Sequence, residues 1–340
     1  MNGSLSFYSD NSSGAHPEVL AAIQAANHGH ALGYGEDEHT RRAEAAFARH
    51  FGDGVQVLSV VTGSAANVVT VAGCCQPYEA VIATSVAHLA WAECGAIERL
   101  VGCKVLEVPH VHGKIDLDAV RRLVTAEPDV HTSRPRLISI TQATEVVTVY
   151  TPAEIEEIAA LAHAHGLLLH VDGARIANAA VSLGMGLREC TRDLGVDLLS
   201  FGGTKNGLLM GEAVVAFTPL PHLDYVRMQG LQLLSKMRFV SAQFSALLEG
   251  DLWHRNAAHA NAMAAHLAAR LHAETDVEIL HPVEANGVFV RLRPEVIEAT
   301  IGPFPYYVFD KEQGVARLMT TWDTTREFID GFVDTVRSIS

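Results

Sequence analysis

Cysteine is scarce in this sequence. The five present, Cys74, Cys75, Cys94, Cys103 and Cys190, are odd in number and show no CxxC spacing. That pattern excludes a disulfide framework and a zinc knuckle, and it predicts reduced thiols in the core. Long apolar runs are missing too. Nowhere do roughly 18 uncharged apolar residues follow one another, and the stretch "MNGSLSFYSDNSSG" has no basic region leading into an apolar one. Neither a membrane span nor a secretory leader is expected. Positive charge is the third deficit, with 25 Lys and Arg against 39 Asp and Glu and a formal net charge of -14. Such a surface repels nucleic acid and anionic lipid. A cytoplasmic enzyme acting on a small molecule fits what remains.

Histidine, by contrast, is plentiful, with 18 residues. Their spacing gives no ligand set: His110 and His112 flank a valine near a turn, His163 and His165 close a helix before Gly166, and HExxH does not occur. No metal is expected. At 340 residues and 49% hydrophobic content the chain can bury the core of one large domain with a smaller partner.

Helical and strand patterns alternate through most of the chain, as in an α/β domain with a largely parallel sheet. Helices are predicted over 17–27, 40–50, 64–73, 116–126, 152–165 and 186–194. Strands are predicted at "VQVLSVV", "AVIAT", "CKVLEV", "RLISIT", "LLLHV", "DLLSF" and "EAVVAF". Seven short strands separated by helices imply a doubly wound sheet. After "EAVVAF" the pattern becomes long helical stretches, 222–249 and 253–273, then short strands at "VFVRL" and "VARLM" and a last helix. The expected division is an N-terminal arm and large domain over 1–252 and a small C-terminal α+β domain over 253–340, joined by a continuous helix.

Two segments carry the chemistry. "LLLHVDGAR" and "LLSFGGTKNG" each end an apolar strand on one functional group, Asp172 in the first and Lys205 in the second, 33 positions on. A pyridoxal 5'-phosphate enzyme needs this pair: a lysine to form the Schiff base with the cofactor aldehyde, and an aspartate to keep the pyridine nitrogen protonated. The interval leaves room for a crossover helix between neighbouring strands. Gly202, Gly203 and Gly207 around Lys205 let backbone pass close to a flat ligand. "TGSAAN" places Gly63, Ser64 and Ala65 at a helix N-terminus, suited to a phosphate and equally to an ordinary N-cap by Ser64. His88 follows the next strand, where an imidazole can stack on the ring or simply pack. Arg175 can reach a cofactor or substrate oxygen and Arg317 can clamp a carboxylate, or either can form a surface ion pair.

With these residues in view, the chain resembles the low-specificity L-threonine aldolases of the fold type I pyridoxal phosphate superfamily, in the pseudomonad-type branch that also acts on phenylserine. The resemblance runs through "SDNSSG", "YGEDEHT", "TGSAAN", "AHLAWAECGA", "ITQATEV", "HVDGARIANA", "FGGTKNG", "SKMRF", "WHRNAAHANAM", "PVEANGVFV" and "ARLMTTWDT". It implies the aspartate aminotransferase type of α/β fold. It also implies roles by position. Lys205 would carry the cofactor, with Thr204 beside it; Asp172 would meet the ring nitrogen, His88 stack on the ring, and Gly63 to Ala65 hold the phosphate. Ser9, Arg175 and Arg317 would bind the substrate carboxylate. His131, in "PDVHTSRP", would stand near the substrate hydroxyl. Tyr34 and Arg238 would reach the phosphate region of a neighbouring subunit, making a homodimer or homotetramer with active sites at the subunit interface. "GGTKNG" around the lysine and "LQLLSK" before Arg238 depart from the better-known bacterial branch.

The implied reaction is retro-aldol cleavage of L-threonine, L-allo-threonine or an aryl β-hydroxy-α-amino acid to glycine and an aldehyde. Lysine, aspartate and phosphate cradle serve the whole superfamily, so a β-eliminating lyase is the alternative. A non-catalytic cofactor-binding regulator is a third reading, and no segment of the sequence supplies an effector or nucleic-acid module for it.

Overall fold

The computed structural model describes residues 5–127 and 129–339. The chain begins with an extended arm and two helices, α1 (Pro17–Ala26) and α2 (Glu38–Phe51), and then enters the large sheet. In order come β1 (Gln56–Val60), α3 (Gly63–Cys74), β2 (Glu79–Thr84), the one-turn α4 (His88–Trp91), β3 (Lys104–Val108), a hairpin of β4 (His110–Val111) and β5 (Lys114–Ile115), and α5 (Leu117–Val124). There follow β6 (Arg134–Thr141), α6 (Pro152–Ala164), β7 (Leu168–Gly173), α7 (Ile176–Leu183), β8 (Leu198–Gly202) and β9 (Glu212–Ala216). The seven strands pair in the order β1-β9-β8-β7-β6-β2-β3, and β9 runs antiparallel to both neighbours. All seven predicted strands form.

Burial explains why the strands read as continuous apolar runs. β2, β8 and β9 are buried at every position, as strands covered on both faces must be. One core includes Ile82, Ile138, Leu169, Leu199 and Val215 with Phe47 of α2 and Ile155 and Ile158 of α6. Another joins Leu58, Val81, Leu137, Leu198 and Val214 to Val68 and Val69 of α3. Successive strand residues thus feed opposite layers, the period of two that pleating imposes.

The remaining elements are α8 (Leu223–Gln229), α9 (Arg238–Leu248), α10 (Leu252–Glu274), β10 (Glu278–Ile279), β11 (Gly287–Arg291), α11 (Pro294–Thr300), β12 (Tyr307–Asp310), β13 (Val315–Met319) and α12 (Arg326–Arg337). Here the four strands form an antiparallel sheet, β10-β11-β13-β12. α10 belongs to two cores: Leu252, Trp253 and Ala257 to the first, and Met263, Leu267 and Leu271 to a third with Val288, Leu318, Phe332 and Val333.

Three expectations fail on local chemistry. Residues 186–194 form turns and a single 3-10 turn at Arg192–Leu194. The crossover helix is α7, which ends on Gly184 with φ 64. Ile176, Ala177, Asn178, Ala179 and Ala180 are all buried there and Ser182 alone of the eight residues is exposed, so α7 offers little amphipathic period to read. The predicted 222–249 helix breaks at Gly230, and Leu231 beyond it has φ 59. The join to the C-terminal part is likewise interrupted, since α9 ends at Leu248 and α10 starts at Leu252. Cysteine placement is mixed: Cys75, Cys103 and Cys190 are buried, whereas Cys94 is exposed. No helix among the described residues is long and apolar enough to cross a membrane.

The arm is anchored far from its own end of the chain. Phe7 is fully buried in the third core, with ring centroids 4.7 Å from Phe328 and 5.3 Å from Phe332. Its N–H donates to Pro305 O at 2.8 Å, and its carbonyl accepts from Met319 N at 2.9 Å. Phe7→Ala is expected to cost about 3–5 kcal/mol, the range for emptying a buried aromatic site. Chemical denaturation of the variant checks this; a loss below about 1 kcal/mol would show that the arm does not contribute to that core.

Candidate active site

Parallel strands collect functional groups at their C-terminal edge. β7 delivers Asp172, which pairs with Thr141 of β6 and Ser200 of β8 in register. The turn after β8 delivers Lys205, in a 3-10 turn at Thr204–Asn206 closed by Gly207 at φ 100. β2 leads to His88 at the start of α4, and β1 leads to Gly63 at the start of α3. β9 runs the other way, so its first residue, Glu212, stands opposite Gly202 and Val60 at the same edge.

Lys205 makes no hydrogen bond or ion pair among the described residues. Burial lowers its amine pKa below the ordinary lysine value, and the charge of Arg175 lowers it further. A less basic amine is a better nucleophile at neutral pH. Glu212 is the nearby counterweight: burial pushes it up to about 7, against hydrogen bonds from Thr204 and Gly203. Thr204 is held in turn by Gly211 N, which donates to its Oγ1 at 3.1 Å.

Asp172 is braced from both sides. Ala174 N donates to Oδ1 and Asn67 Nδ2 to Oδ2, each at 3.0 Å. Asn67 Nδ2 also donates to Glu93 Oε1 at 2.9 Å, and Glu93 Oε1 meets His88 Nδ1 at 2.8 Å. One polar chain therefore runs His88, Glu93, Asn67, Asp172, and it fixes the imidazole relative to the carboxylate. Because Asn67 lies on the second turn of α3, the same chain brings the start of that helix to the site.

The N-terminus of α3 differs in detail from expectation. Thr62 is the cap: its Oγ1 accepts from Ala65 N at 3.1 Å. The amide of Ala65 is thereby occupied, while Gly63 and Ser64, as the first helical residues, have no intrahelical acceptor for theirs. The space beside Gly63 is open.

Arg175 and Arg317 form the other flank. Arg175 donates through Nε and Nη2 to the two oxygens of Asp10 at 2.7 and 2.9 Å, and Asn286 Nδ2 reaches Asp10 Oδ2 at 3.1 Å. Burial alone would raise the Asp10 carboxyl; the charges of Arg175 and Lys205 and these hydrogen bonds hold it well below the usual range. Arg317 Nη2 donates to Tyr8 O at 3.3 Å, and its guanidinium lies 5.1 Å from the Phe309 ring centroid. Its Nε is buried without a partner. Burial, then the charge of Arg175, lowers Arg317 to about 10. Ser9 precedes Asp10 and accepts from Asn11 N at 3.2 Å.

Lys205, Thr204, Asp172, His88, Arg175, Arg317, Ser9 and the Gly63 turn thus come together. His131 does not. It sits in an exposed turn, its N–H donating to Asp129 Oδ1 at 2.9 Å, three residues before β6 begins. β6 has 8 residues, roughly 26 Å at about 3.3 Å each, and His131 is at the wrong end of it. Tyr34 is exposed and its N donates to Ser235 O at 3.1 Å, while half-buried Arg238 donates through Nη1 to Gly29 O at 3.2 Å. Neither touches the group around Lys205 within its own chain. Gly202 is small for a reason other than a ligand: a Cβ there would collide with Ala174 O.

Asp10, Asn67, Glu93, Glu145, Glu212 and Asn286 escaped the reading of the sequence as site residues. All but Glu212 lie inside the runs that carry the family resemblance, "SDNSSG", "TGSAAN", "AHLAWAECGA", "ITQATEV" and "PVEANGVFV". The site fits pyridoxal phosphate: a half-buried amine unpaired among the described residues, a braced carboxylate on the neighbouring strand, and free amides at the N-terminus of a 12-residue helix.

Comparison with known proteins agrees. Residues 6–295 match the family described as beta-eliminating lyase. The chain is 41% identical over 337 residues to a low specificity L-threonine aldolase of Pseudomonas sp., covering 98% of this chain and 97% of that protein. Among solved structures, a threonine aldolase of Leishmania major superposes with a TM-score of 0.93 at 31% identity, covering 98% of this chain and 99% of that one. Serine palmitoyltransferase of Sphingomonas wittichii gives 0.75 at 15% identity over 98% of this chain and 85% of that one, a likeness of fold alone. The fold is the fold type I architecture of pyridoxal phosphate enzymes. With its lysine, aspartate and paired arginines on that scaffold, this chain belongs to the beta-eliminating lyase family and, within it, to the low-specificity L-threonine aldolases.

Proposed function

We propose that this protein is a pyridoxal phosphate-dependent aldehyde-lyase that cleaves L-threonine, L-allo-threonine and related β-hydroxy-α-amino acids, phenylserine among them, to glycine and an aldehyde. The observation that carries the reading is the flank of two guanidiniums beside Lys205. Asp10 takes Nε and Nη2 of Arg175, leaving Nη1, while Arg317 Nε has no partner. An α-carboxylate placed between them is held on one side, which fixes the rotation about the Cα–N bond and so selects which bond to Cα lies perpendicular to the ring.

Lys205 would hold the cofactor, Asp172 its ring nitrogen, the Gly63 and Ser64 amides its phosphate, and His88 would cover its ring. When bound, the cofactor accepts the electron pair of the bond broken at Cα. The protein's own task is to orient, to exclude water and to move protons. The Glu93 contact keeps the His88 ring in one rotamer. Thr204 steadies the turn of Lys205, and Ser9 lies within reach of the same carboxylate as Arg175.

Further parts of the reading follow. The third core, with α10 to α12, forms a small domain from about Trp253 onward, hinged on α10. Exposed Tyr34 and half-buried Arg238, with Leu32 and Leu231 also exposed, suit the interface of a homodimer or homotetramer in which they complete a neighbour's phosphate site. The acidic charge balance suits the cytoplasm.

The family's description supports one second reading, β-elimination from the same lysine and cofactor. Product analysis with threonine decides between them: glycine with acetaldehyde for the aldolase, 2-oxobutyrate with ammonia for the eliminating lyase.

Lys205→Ala is expected to abolish turnover and remove the visible absorption of lysine-bound cofactor. A variant that keeps that absorption and resists borohydride inactivation would refute the assignment. Arg317→Ala is expected to raise KM and lower kcat together, a loss of about 2–4 kcal/mol in kcat/KM, the range for breaking a buried charge-paired contact. Wild-type kinetics would place Arg317 outside the substrate site.

A further inference from the structure

The loop after β6 carries a carboxyl with no task in this scheme. Glu145 Oε1 accepts from Thr141 Oγ1 at 2.6 Å and from the backbone N–H of His88 at 3.0 Å. Its other oxygen, Oε2, is shut off from solvent and has no hydrogen-bond partner among the described residues. Native structures rarely leave such an atom open, and when they do a proton, water or ligand is the usual complement. The loop is not slack. The Gln142 side chain bonds Tyr150 twice, through Nε2 to O at 3.0 Å and through Oε1 from N at 2.9 Å, and Thr144 N donates to Thr148 O at 2.9 Å. Glu145 is thus held at the strand edge that carries Asp172, directly under the residue that begins α4.

Its charge environment suits proton transfer. Burial pushes the carboxyl up to about 7 and Asp172 adds to the rise, against the hydrogen bonds from Thr141, its own amide and His88 N. Arg175 and Tyr150 are the other titratable groups that feel its charge. A general base works best when its pKa lies near the working pH.

We propose that Glu145 is the catalytic residue that takes the proton of the substrate's β-hydroxyl, near which the family resemblance had placed His131. The O–H bond breaks and its proton passes to the Glu145 carboxylate. The O–H electron pair would become part of the aldehyde C=O, and the Cα–Cβ pair would stay with Cα, where the bound cofactor would accept it. Cα then takes a proton from solvent and Glu145 returns its own to solvent, so that atoms and charge balance. The proposal rests on the retro-aldol reading.

Glu145→Gln tests it, with wild type run beside it. Threonine cleavage is expected to fall about 10²- to 10⁴-fold, the usual contribution of a general base, while exchange of the glycine α-proton stays within about threefold and the visible absorption of bound cofactor is kept. A cleavage loss below about threefold, or equal losses in both reactions, overturns the proposal. If wild type itself releases no glycine from threonine, the retro-aldol reading has failed and not the assignment of Glu145. Stability gives a readout independent of turnover. The folded carboxyl titrates near 7 instead of the usual 4.5, so the native state binds more protons than the unfolded one between those values, and wild type loses stability as pH rises through that window. The melting temperature of Glu145→Gln minus that of wild type should therefore climb from about pH 4.5 to 7 and level off above. A flat difference refutes a carboxyl that carries a proton near neutrality. Thr141→Val, which removes one hydrogen bond to the ionised form and keeps the carboxyl, should move the acidic limb of kcat/KM to higher pH. An unmoved limb counts against Glu145.

Discussion

The buried pair of Asp10 and Arg175 is the contact on which the rest of the site depends. Asp10 comes from the arm, Arg175 from the turn after β7, and Asn286, which shares the aspartate, from the segment leading into β11. Three regions distant in sequence meet at one carboxylate. Taking both charges out of water costs several kcal/mol per ion, and mutual attraction offsets that only when geometry is good and remaining hydrogen bonds are filled. The bidentate fork and the Asn286 amide meet that condition. Removing either partner would leave an uncompensated charge in the core, so the arm cannot detach without cost to the large sheet.

The pair also sets the electrostatics of catalysis. Burial, and after it the charge of Arg175, lowers the amine of Lys205 and the guanidinium of Arg317, while Asp10 acts in the opposite direction on both. Along the opposite side, burial raises both Glu145 and Glu212 to about 7. Positive groups are made easier to deprotonate and carboxyls easier to protonate, as expected where one dry volume receives charges of both signs. Proton traffic near neutrality becomes inexpensive for this set of residues.

How much of this the sequence carried differs by element. β2, β8 and β9 were legible because strands covered on both faces must be apolar throughout, and Asp172 and Lys205 were legible because each interrupts such a run at its end. α7 was not, since its first five residues are buried without a break, which leaves no periodic face, and "IANAAVSL" reads no differently from a strand. Glu212 was hidden by its place at the start of β9: only the antiparallel register brings a strand's first residue to the edge where the others end. Asp10 and Glu145 needed contacts 165 and 57 residues away in the chain to have any meaning. The expectation for His131, which lies at the far end of β6 from Asp172, has the same root. Histidine is the familiar proton carrier near pH 7, but burial of a carboxyl gives the same property, and burial cannot be read from neighbours in sequence.

The unsatisfied polar atoms show where that burial was put to use. Asn67 Oδ1, Glu93 Oε2, Glu145 Oε2, Asn286 Oδ1 and Arg317 Nε are all buried and without partners, and every one belongs to a residue bonded or adjacent to the Asp172, His88 and Asp10 networks. Such atoms are destabilising in an ordinary core, by about 1–3 kcal/mol each. Among the described residues Thr70 Oγ1, Arg227 Nε and Ser245 Oγ, on α3, α8 and α9, are likewise buried without a partner, so five of the eight such atoms gather at this strand edge. The scaffold tolerates them because β6, β7 and β8 are locked on both faces. The site is a polar defect held open by a rigid surround, with one buried donor, Arg317 Nε, suited to an anion and one buried acceptor, Glu145 Oε2, suited to a proton or a hydroxyl.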